Sequence, residues 1–338
     1  MNILLIGGSK FLGYHLTHTL LNNDIRVTLF NRGQTADDFA DSVERVTGDR
    51  KEYQQFYDLF HRRKFDAVID LIAYDPEDAE VCERTFRDHI GQYIFISTGQ
   101  VYLVTENKNL PAREEDFFQD LIPCPPGEEP AYEYGIKKRQ IEIFLRDQYS
   151  FRKFPAVSLR CPIIHGPKDY TLRLYSYLMR IRDGNPLIIP HGGDSIIRHI
   201  YVHDVVQAIL KILSDPTIRG EAFNLAQKEV LNLSEFLKMV GTLMNVPVQT
   251  IEIPISDWGG NKISEDISPF SGRWVSYLDP SRAESELDFH STSFEEWIPE
   301  VVEYFFEKYQ GPFPENYQNR EKETHLINEF IKSSDTGI

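Results

Sequence analysis

The alternation in its first thirty-two residues constrains this chain more than any other feature. Ile3-Leu4-Leu5-Ile6 is a short apolar run of buried-strand type. Gly7-Gly8-Ser9-Lys10-Phe11-Leu12-Gly13 then opens a helix carrying Leu16, Leu20 and Leu21 on one face, and a second apolar run over 25–30 ends at Asn31-Arg32. Strand, turn, helix and strand within about 30 residues make a βαβ unit, the context in which a glycine-rich turn reads as a dinucleotide site. Gly7 can take dihedrals closed to other residues, and Gly13 lets the helix pack close to the sheet. A pyrophosphate can then rest on the backbone N–H groups at the helix N-terminus.

The rest of the chain repeats the alternation. Residues 43–47 read as a third strand ending at Gly48-Asp49-Arg50, and 65–73 as a fourth, apolar on both faces as a central parallel strand is. A helix is expected over 77–89, and a fifth strand over 92–96 runs into Ser97-Thr98-Gly99-Gln100-Val101-Tyr102. Residues 105–130 are polar, acidic and rich in proline, and read as a long loop of the kind that covers a site. A sixth strand at 156–160 leads into Cys161-Pro162-Ile163-Ile164-His165-Gly166-Pro167, where His165 reads as a packed, structural histidine. Further helices are expected at 171–183, with a basic edge at Arg173, Arg180 and Arg182, and at 205–213 and 233–243. Residues 258–261 read as a loop and 321–331 as a peripheral helix.

Tyr134 and Lys138 lie at i and i+4, one turn apart on one helix face. A free tyrosine ionises near pH ~10, and a nearby ammonium stabilises the phenolate. That spacing moves Tyr134 toward acid/base work near neutral pH. Tyr132 has Ile136 four residues on and so lacks a basic partner there, and Lys137 is the other decoy.

At 338 residues and 41% apolar content, the chain can bury a large α/β unit with a smaller second lobe. A net charge of -16 argues against nucleic acid as the main partner, since phosphate neutralisation needs a basic surface. Cys82, Cys124 and Cys161 are widely spaced and form no metal-ligand pattern. With no leader and no apolar run of bilayer length, a cytoplasmic location is expected.

The GxxGxxG spacing with Lys10 in its middle place, Thr98 three residues before Val101-Tyr102, and Tyr134-Gly135-Ile136-Lys137-Lys138 together resemble the NAD(P)-dependent epimerase/dehydratase superfamily, the extended and atypical short-chain dehydrogenase/reductases. The basic middle residue, followed by Asn31-Arg32-Gly33, looks most like the branch that includes the chloroplast stem-loop-binding proteins. The likeness spans about residues 1–310 and is strongest in the first half.

The resemblance implies a Rossmann doubly wound parallel sheet with a smaller C-terminal α/β substrate lobe. The nucleotide domain would be 1–165 with 196–228 returning to it, the substrate lobe 166–195 and 229–310, and the tail 311–338. It implies Thr98, Tyr134 and Lys138 as catalytic residues, with Lys138 also holding the nicotinamide ribose. Cofactor contacts would come from Gly7, Ser9, Lys10, Phe11, Leu12, Gly13, Asn31, Arg32, Asp49, Arg50, Leu71, Ile72, Ala73 and Pro162. For Asp49 a cap on the following helix is the other reading. Arg198 stands near the place of a substrate-diphosphate arginine. Asn31 brings no negative charge to the end of the second strand, and Lys10 and Arg32 are placed to neutralise a phosphate, so NADP is expected ahead of NAD. Dehydratases of the family carry an acidic pair where this chain has Gly99 and Gln100. Three readings follow: an epimerase or related oxidoreductase of a nucleotide sugar, an NADPH-dependent reductase of another carbonyl compound, or a non-catalytic RNA- or partner-binding protein. A homodimer is expected of the superfamily.

Overall fold

The computed structural model describes residues 1–106, 109–253 and 267–335; the loop expected at 258–261 lies outside them. The chain divides into two compact units. The first comprises Met1–Ile164, Ile200–Ala226 and Ser276–Ser291, and the second His165–His199, Gln227–Val275 and Thr292–Ile338. Against the expected division, Ser276–Ser291 thus groups with the first unit and 311–338 with the second.

The first unit is built on seven parallel strands: β1 (Asn2–Ile6), β2 (Arg26–Asn31), β3 (Glu44–Thr47), β4 (Phe65–Asp70), β5 (Ile90–Thr98), β6 (Ala156–Cys161) and β7 (Glu221–Asn224). Their spatial order is β3-β2-β1-β4-β5-β6-β7. Ile3, Leu4, Leu5 and Ile6 have no exposed surface, which fits a central strand buried on both faces. The first crossover is helix α1 (Phe11–Asn22), followed along the chain by α2 (Tyr53–Phe60), α3 (Pro76–Phe86) and the long α4 (Glu129–Arg152). The strand order reverses between β1 and β4, and the crevice at that switch point is where open α/β sheets take ligands.

Two details of this unit shape the site. The fourth strand stops at Asp70, before 71–73, because Ile72 N donates back to Asp70 Oδ1 at 3.1 Å and the chain turns out of the sheet. Helix α3 then starts at Pro76, with Asp75 as its N-cap in a capping box with Asp78.

The second unit corrects two sequence expectations. Arg180 is not part of a basic edge: it is 1% exposed, with Nε 3.0 Å from Glu323 Oε2. Nor is the last helix, Arg320–Asp335, peripheral, since Leu326 and Ile327 pack in a buried cluster with Ile188, Ile253 and Ile267. A guanidinium cannot be left dry without a counter-charge, so the helix that brings Glu323 belongs to the core.

The same unit seals a histidine pair. His165 Nε2 lies 2.6 Å from His199 Nδ1, and neither residue has exposed surface. His165 stacks on Trp297, and Phe270 packs edge-on against both rings. Their outer nitrogens, His165 Nδ1 and His199 Nε2, have no hydrogen-bond partner among the described residues. Burial, aided by Arg173, pushes His199 down to about 3 and His165 well below the usual histidine range. The packed, structural reading of His165 fits this enclosure.

Cys82 and Cys161 are buried free thiols and Cys124 an exposed one. Among the described residues no helix is long and apolar enough to cross a membrane.

Candidate functional site

The glycine turn lies directly after β1. Gly7 and Gly8 have φ of +105° and +106°, which side-chain-bearing residues rarely adopt. A Cβ on Gly13 would stand 2.4 Å from Gly8 Cα, so the first turn of α1 and the loop before it touch backbone to backbone. Lys10 is the N-cap position, and the dipole and first-turn N–H groups of α1 are directed at this turn. Leu71 and Ile72 close over it: a Cβ on Gly7 would lie 3.2 Å from Leu71 Cβ and 3.3 Å from Ile72 Cγ2. The structure thus brings together Gly7, Gly13, Leu71 and Ile72, with Ala73, Phe11 and Leu12 buried beside them. A cradle with room only for backbone fits a dinucleotide pyrophosphate.

The end of β2 joins the same turn through side chains. Asn31 Nδ2 donates to Ser9 Oγ at 2.9 Å, and Ser9 Oγ donates to Asp37 Oδ2 at 2.9 Å. Asp37 in turn accepts from Arg45 NH1 at 3.0 Å and from Arg45 NH2. Lys10 and Arg32 are exposed. Asp49 does not cap α2, whose N-cap position is Glu52; its Oδ1 accepts from Lys51 N at 2.9 Å in a local turn.

Arg50 departs from its expected role at the cofactor. It is 7% exposed, with NH1 2.6 and 2.9 Å from the two oxygens of Asp70 and NH2 3.0 Å from the Asp78 carbonyl. Asp70 is wholly buried at the end of a central strand and requires a counter-charge, which Arg50 supplies from beneath the turn at 71–73.

Thr98 is the last residue of β5, half-buried, with Oγ1 accepting from Gln100 N at 3.2 Å. Gly99 leaves no room for a side chain, since a Cβ there would meet Ser276 Oγ at 2.3 Å. Gly135 has a similar reason: its Cβ would meet Val104 Cγ1 at 2.6 Å and Gln100 O at 3.0 Å. The short helix Gln100–Leu103 after Thr98 therefore rests on α4 next to Tyr134.

Lys138, one turn on, is 2% exposed and donates from Nζ to Ile96 O at 2.9 Å. Its ammonium lies 4.6 Å from the Phe95 ring centroid, 5.0 Å from Tyr74 and 5.8 Å from Tyr134. Burial pulls its pKa down to about 8, against the opposing pull of Asp70. The neighbouring candidates are occupied elsewhere. Lys137 Nζ pairs with Asp75 at 2.9 Å, and Tyr132 donates to Ile122 O at 2.7 Å.

Some participants carried no warning in the sequence. Tyr74 stands over Lys138 and 6.3 Å from the Tyr134 ring, and no motif in the sequence singles it out. Glu142 holds Arg160 at 2.7 Å and takes a hydrogen bond from Ser97, the neighbour of Thr98. A single arginine inside the apolar run of β6 was the available signal for that network. Pro162, buried, directly follows Cys161, whose carbonyl accepts from Gly99 N at 2.8 Å. Arg198, in the second unit, is half-buried and donates from Nε to Gln227 O at 2.9 Å.

Comparison with known proteins follows this geometry. The family model described as NAD dependent epimerase/dehydratase matches residues 3–226. The 41 kDa chloroplast stem-loop binding protein b of Arabidopsis thaliana is 26% identical over 70% of this chain, which spans 61% of that relative's length. Among solved structures, the UDP-glucose 4-epimerase of Thermotoga maritima, with UDP-glucose, aligns with a TM-score of 0.71 at 20% identity, covering 90% of this chain and 98% of its own. The UDP-glucuronic acid 4-epimerase of Bacillus cereus, in complex with NAD and a fluorinated UDP-sugar, also scores 0.71, at 18% identity over 91% and 100%.

Proposed function

The chain belongs to the NAD dependent epimerase/dehydratase family, and from that premise we propose that it is a nicotinamide-dinucleotide enzyme acting at a hydroxyl- or carbonyl-bearing carbon of a nucleotide sugar. The observation that carries the reading is the placement of Lys138. Its Nζ is anchored on the carbonyl two residues before Thr98 and sits beside Tyr134, in the same unit as the glycine cradle.

In this reading the glycine turn and the N-terminus of α1 hold the pyrophosphate, with Leu71, Ile72 and Ala73 as the apolar floor. The dinucleotide, when bound, supplies the hydride acceptor and donor. Tyr134 moves the proton at the substrate oxygen, and Thr98 hydrogen-bonds that oxygen to orient it. Lys138 keeps a positive charge beside the tyrosine, which favours its phenolate. Its pKa of about 8 leaves it charged at neutral pH.

An epimerase fits better than a dehydratase. A Cβ at Gly99 would collide with Ser276, so the acid that dehydratases place there has no room. An epimerase restores its cofactor each cycle, whereas a reductase consumes it.

The test is to incubate the protein with catalytic NAD or NADP and UDP-glucose, UDP-glucuronate or dTDP-glucose. Sugar products are followed by NMR and reduced cofactor by absorbance. Conversion without net reduced cofactor, lost in Tyr134→Phe, supports the reading. Conversion retained in Tyr134→Phe would remove it.

A further inference from the structure

Asn31, at the β2 end where this fold reads the adenosine ribose, has no acidic side chain. It is also occupied on both sides: Nδ2 donates to Ser9 Oγ at 2.9 Å, and Oδ1 accepts from Gly33 N at 2.8 Å. The carboxylate of this region instead arrives from the following loop. Asp37, whose side chain is 1% exposed, accepts a hydrogen bond from the Ser9 hydroxyl on Oδ2 and two from N–H groups of Arg45. The loop is tied down on both sides of it. Asp38 accepts from Tyr14 at 2.7 Å and contacts His18 at 3.0 Å, and Phe39 is buried against the rings of Tyr14 and His18.

We infer that Asp37, acting through Ser9, sets the adenosine end of the site for a ribose 2′-hydroxyl, so that the protein selects NAD over NADP. The inference rests on the nicotinamide-dinucleotide reading above. A serine hydroxyl has one proton and two lone pairs. Here the proton is committed to Asp37 and one lone pair to Asn31, so Ser9 has only an acceptor left to offer. A 2′-hydroxyl can donate to it. A 2′-phosphate carries only acceptors at neutral pH and would have to pull the Ser9 proton away from a carboxylate that water does not reach.

The discrimination is one of hydrogen-bond polarity more than of net charge, because Arg45 offsets Asp37. The same pairing turns two of the five N–H groups of Arg45 to Asp37 and offsets the charge it could bring to a phosphate. Lys10 and Arg32 are exposed, and the attraction of an exposed cation for a phosphate is screened by solvent. This reverses the preference that Asn31, Lys10 and Arg32 suggest when read without Asp37.

The experiment is a fluorescence titration with NADH and NADPH of the parent, Asp37→Asn and Ser9→Ala, with a thermal melt of each. The parent is expected to bind NADH at least tenfold more tightly than NADPH. In Asp37→Asn the ratio should fall at least tenfold, because an amide no longer claims the serine proton and Arg45 is released. Ser9→Ala keeps the Asp37–Arg45 pair and should lower the ratio through NADH alone, which separates hydrogen-bond readout from loss of loop structure. A parent that prefers NADPH, or an Asp37→Asn variant that weakens both nucleotides equally, overturns the inference and leaves the function proposed above standing. Binding of neither nucleotide by the parent would overturn both.

Discussion

Lys138 in the first unit and the His165–His199 pair in the second are all nitrogen bases closed off from water, and burial lowers all three pKa values. They differ in what surrounds the proton. Lys138 has a carbonyl to donate to, aromatic faces around it and the charge of Asp70 pulling the other way, so its pKa settles at about 8. The histidines have each other and aromatic walls, with Arg173 adding to the effect of burial, and they stay neutral across the physiological range. Burial sets the direction of a shift, and the partners decide whether a charge survives it. A retained buried charge is costly, which is why it points to chemistry, whereas a buried neutral pair points to packing.

The sharpest way to break this contrast is to remove the group that Lys138 is proposed to serve. Tyr134→Phe should lower turnover by about 100-fold to 10,000-fold while nucleotide affinity, measured by fluorescence, stays within about twofold. An equal loss of both would make Tyr134 a binding residue.

Arg180 and Glu323 give the intermediate case, a buried charge with its partner at 3.0 Å. Glu323→Leu strands the guanidinium and should cost about 3–5 kcal/mol in urea unfolding. A cost below about 1 kcal/mol would mean that Arg180 finds water or another partner.

Lys138→Met probes the cost of the retained charge. The folded pKa lies below the unfolded one, so the unfolded chain binds its proton more tightly, and native stability rises as pH goes from about 8 toward 10.5. Below pH 8 the charge destabilises the fold, and Lys138→Met should stabilise it by on the order of 3 kcal/mol, less the lost bond to Ile96. Turnover should fall at least 100-fold in the same variant. A lower melting temperature would show that the charge is fully compensated.

The histidine pair makes the most gradual prediction. Its folded pKa values lie below the ordinary histidine value, so stability is present near neutral pH and lost as pH falls from about 6.5 toward 3. The slope should approach about 1.4 kcal/mol per pH unit for each imidazole, checked by urea unfolding at pH 7 and pH 5. A His165→Phe, His199→Phe variant that keeps the full slope would assign it to carboxylates instead.

The parallel sheet was legible because β1, β2, β4, β5 and β6 are largely apolar runs broken by glycine or polar turns, and period and punctuation are local properties. The glycine turn and the Tyr134–Lys138 spacing were legible for the same reason. What escaped depends on contacts between distant residues. Arg50 belongs to Asp70, twenty positions on, and Arg180 to Glu323, 143 positions on. Arg50 read as a cofactor contact and Arg180 as part of a basic edge, because a sequence shows a charge but not its partner. Asp37 meets Ser9, 28 positions earlier, only through the fold of its loop. Lys137 and Lys138 are adjacent and chemically alike, and helix periodicity separated the one held by Asp75 from the one buried beside Tyr134.

The contact between Gly13 and Gly8 has a consequence for how such a protein can change over generations. Every amino acid that could replace glycine adds at least one carbon, and the atoms nearest a Cβ at Gly13 are the backbone of Gly8, which no rotamer can move aside. Drift is closed at that letter. Ser9 and Lys10, lying between the two glycines, already carry side chains. A substitution at Gly13 has to move backbone, whereas one at Ser9 or Lys10 exchanges one side chain for another.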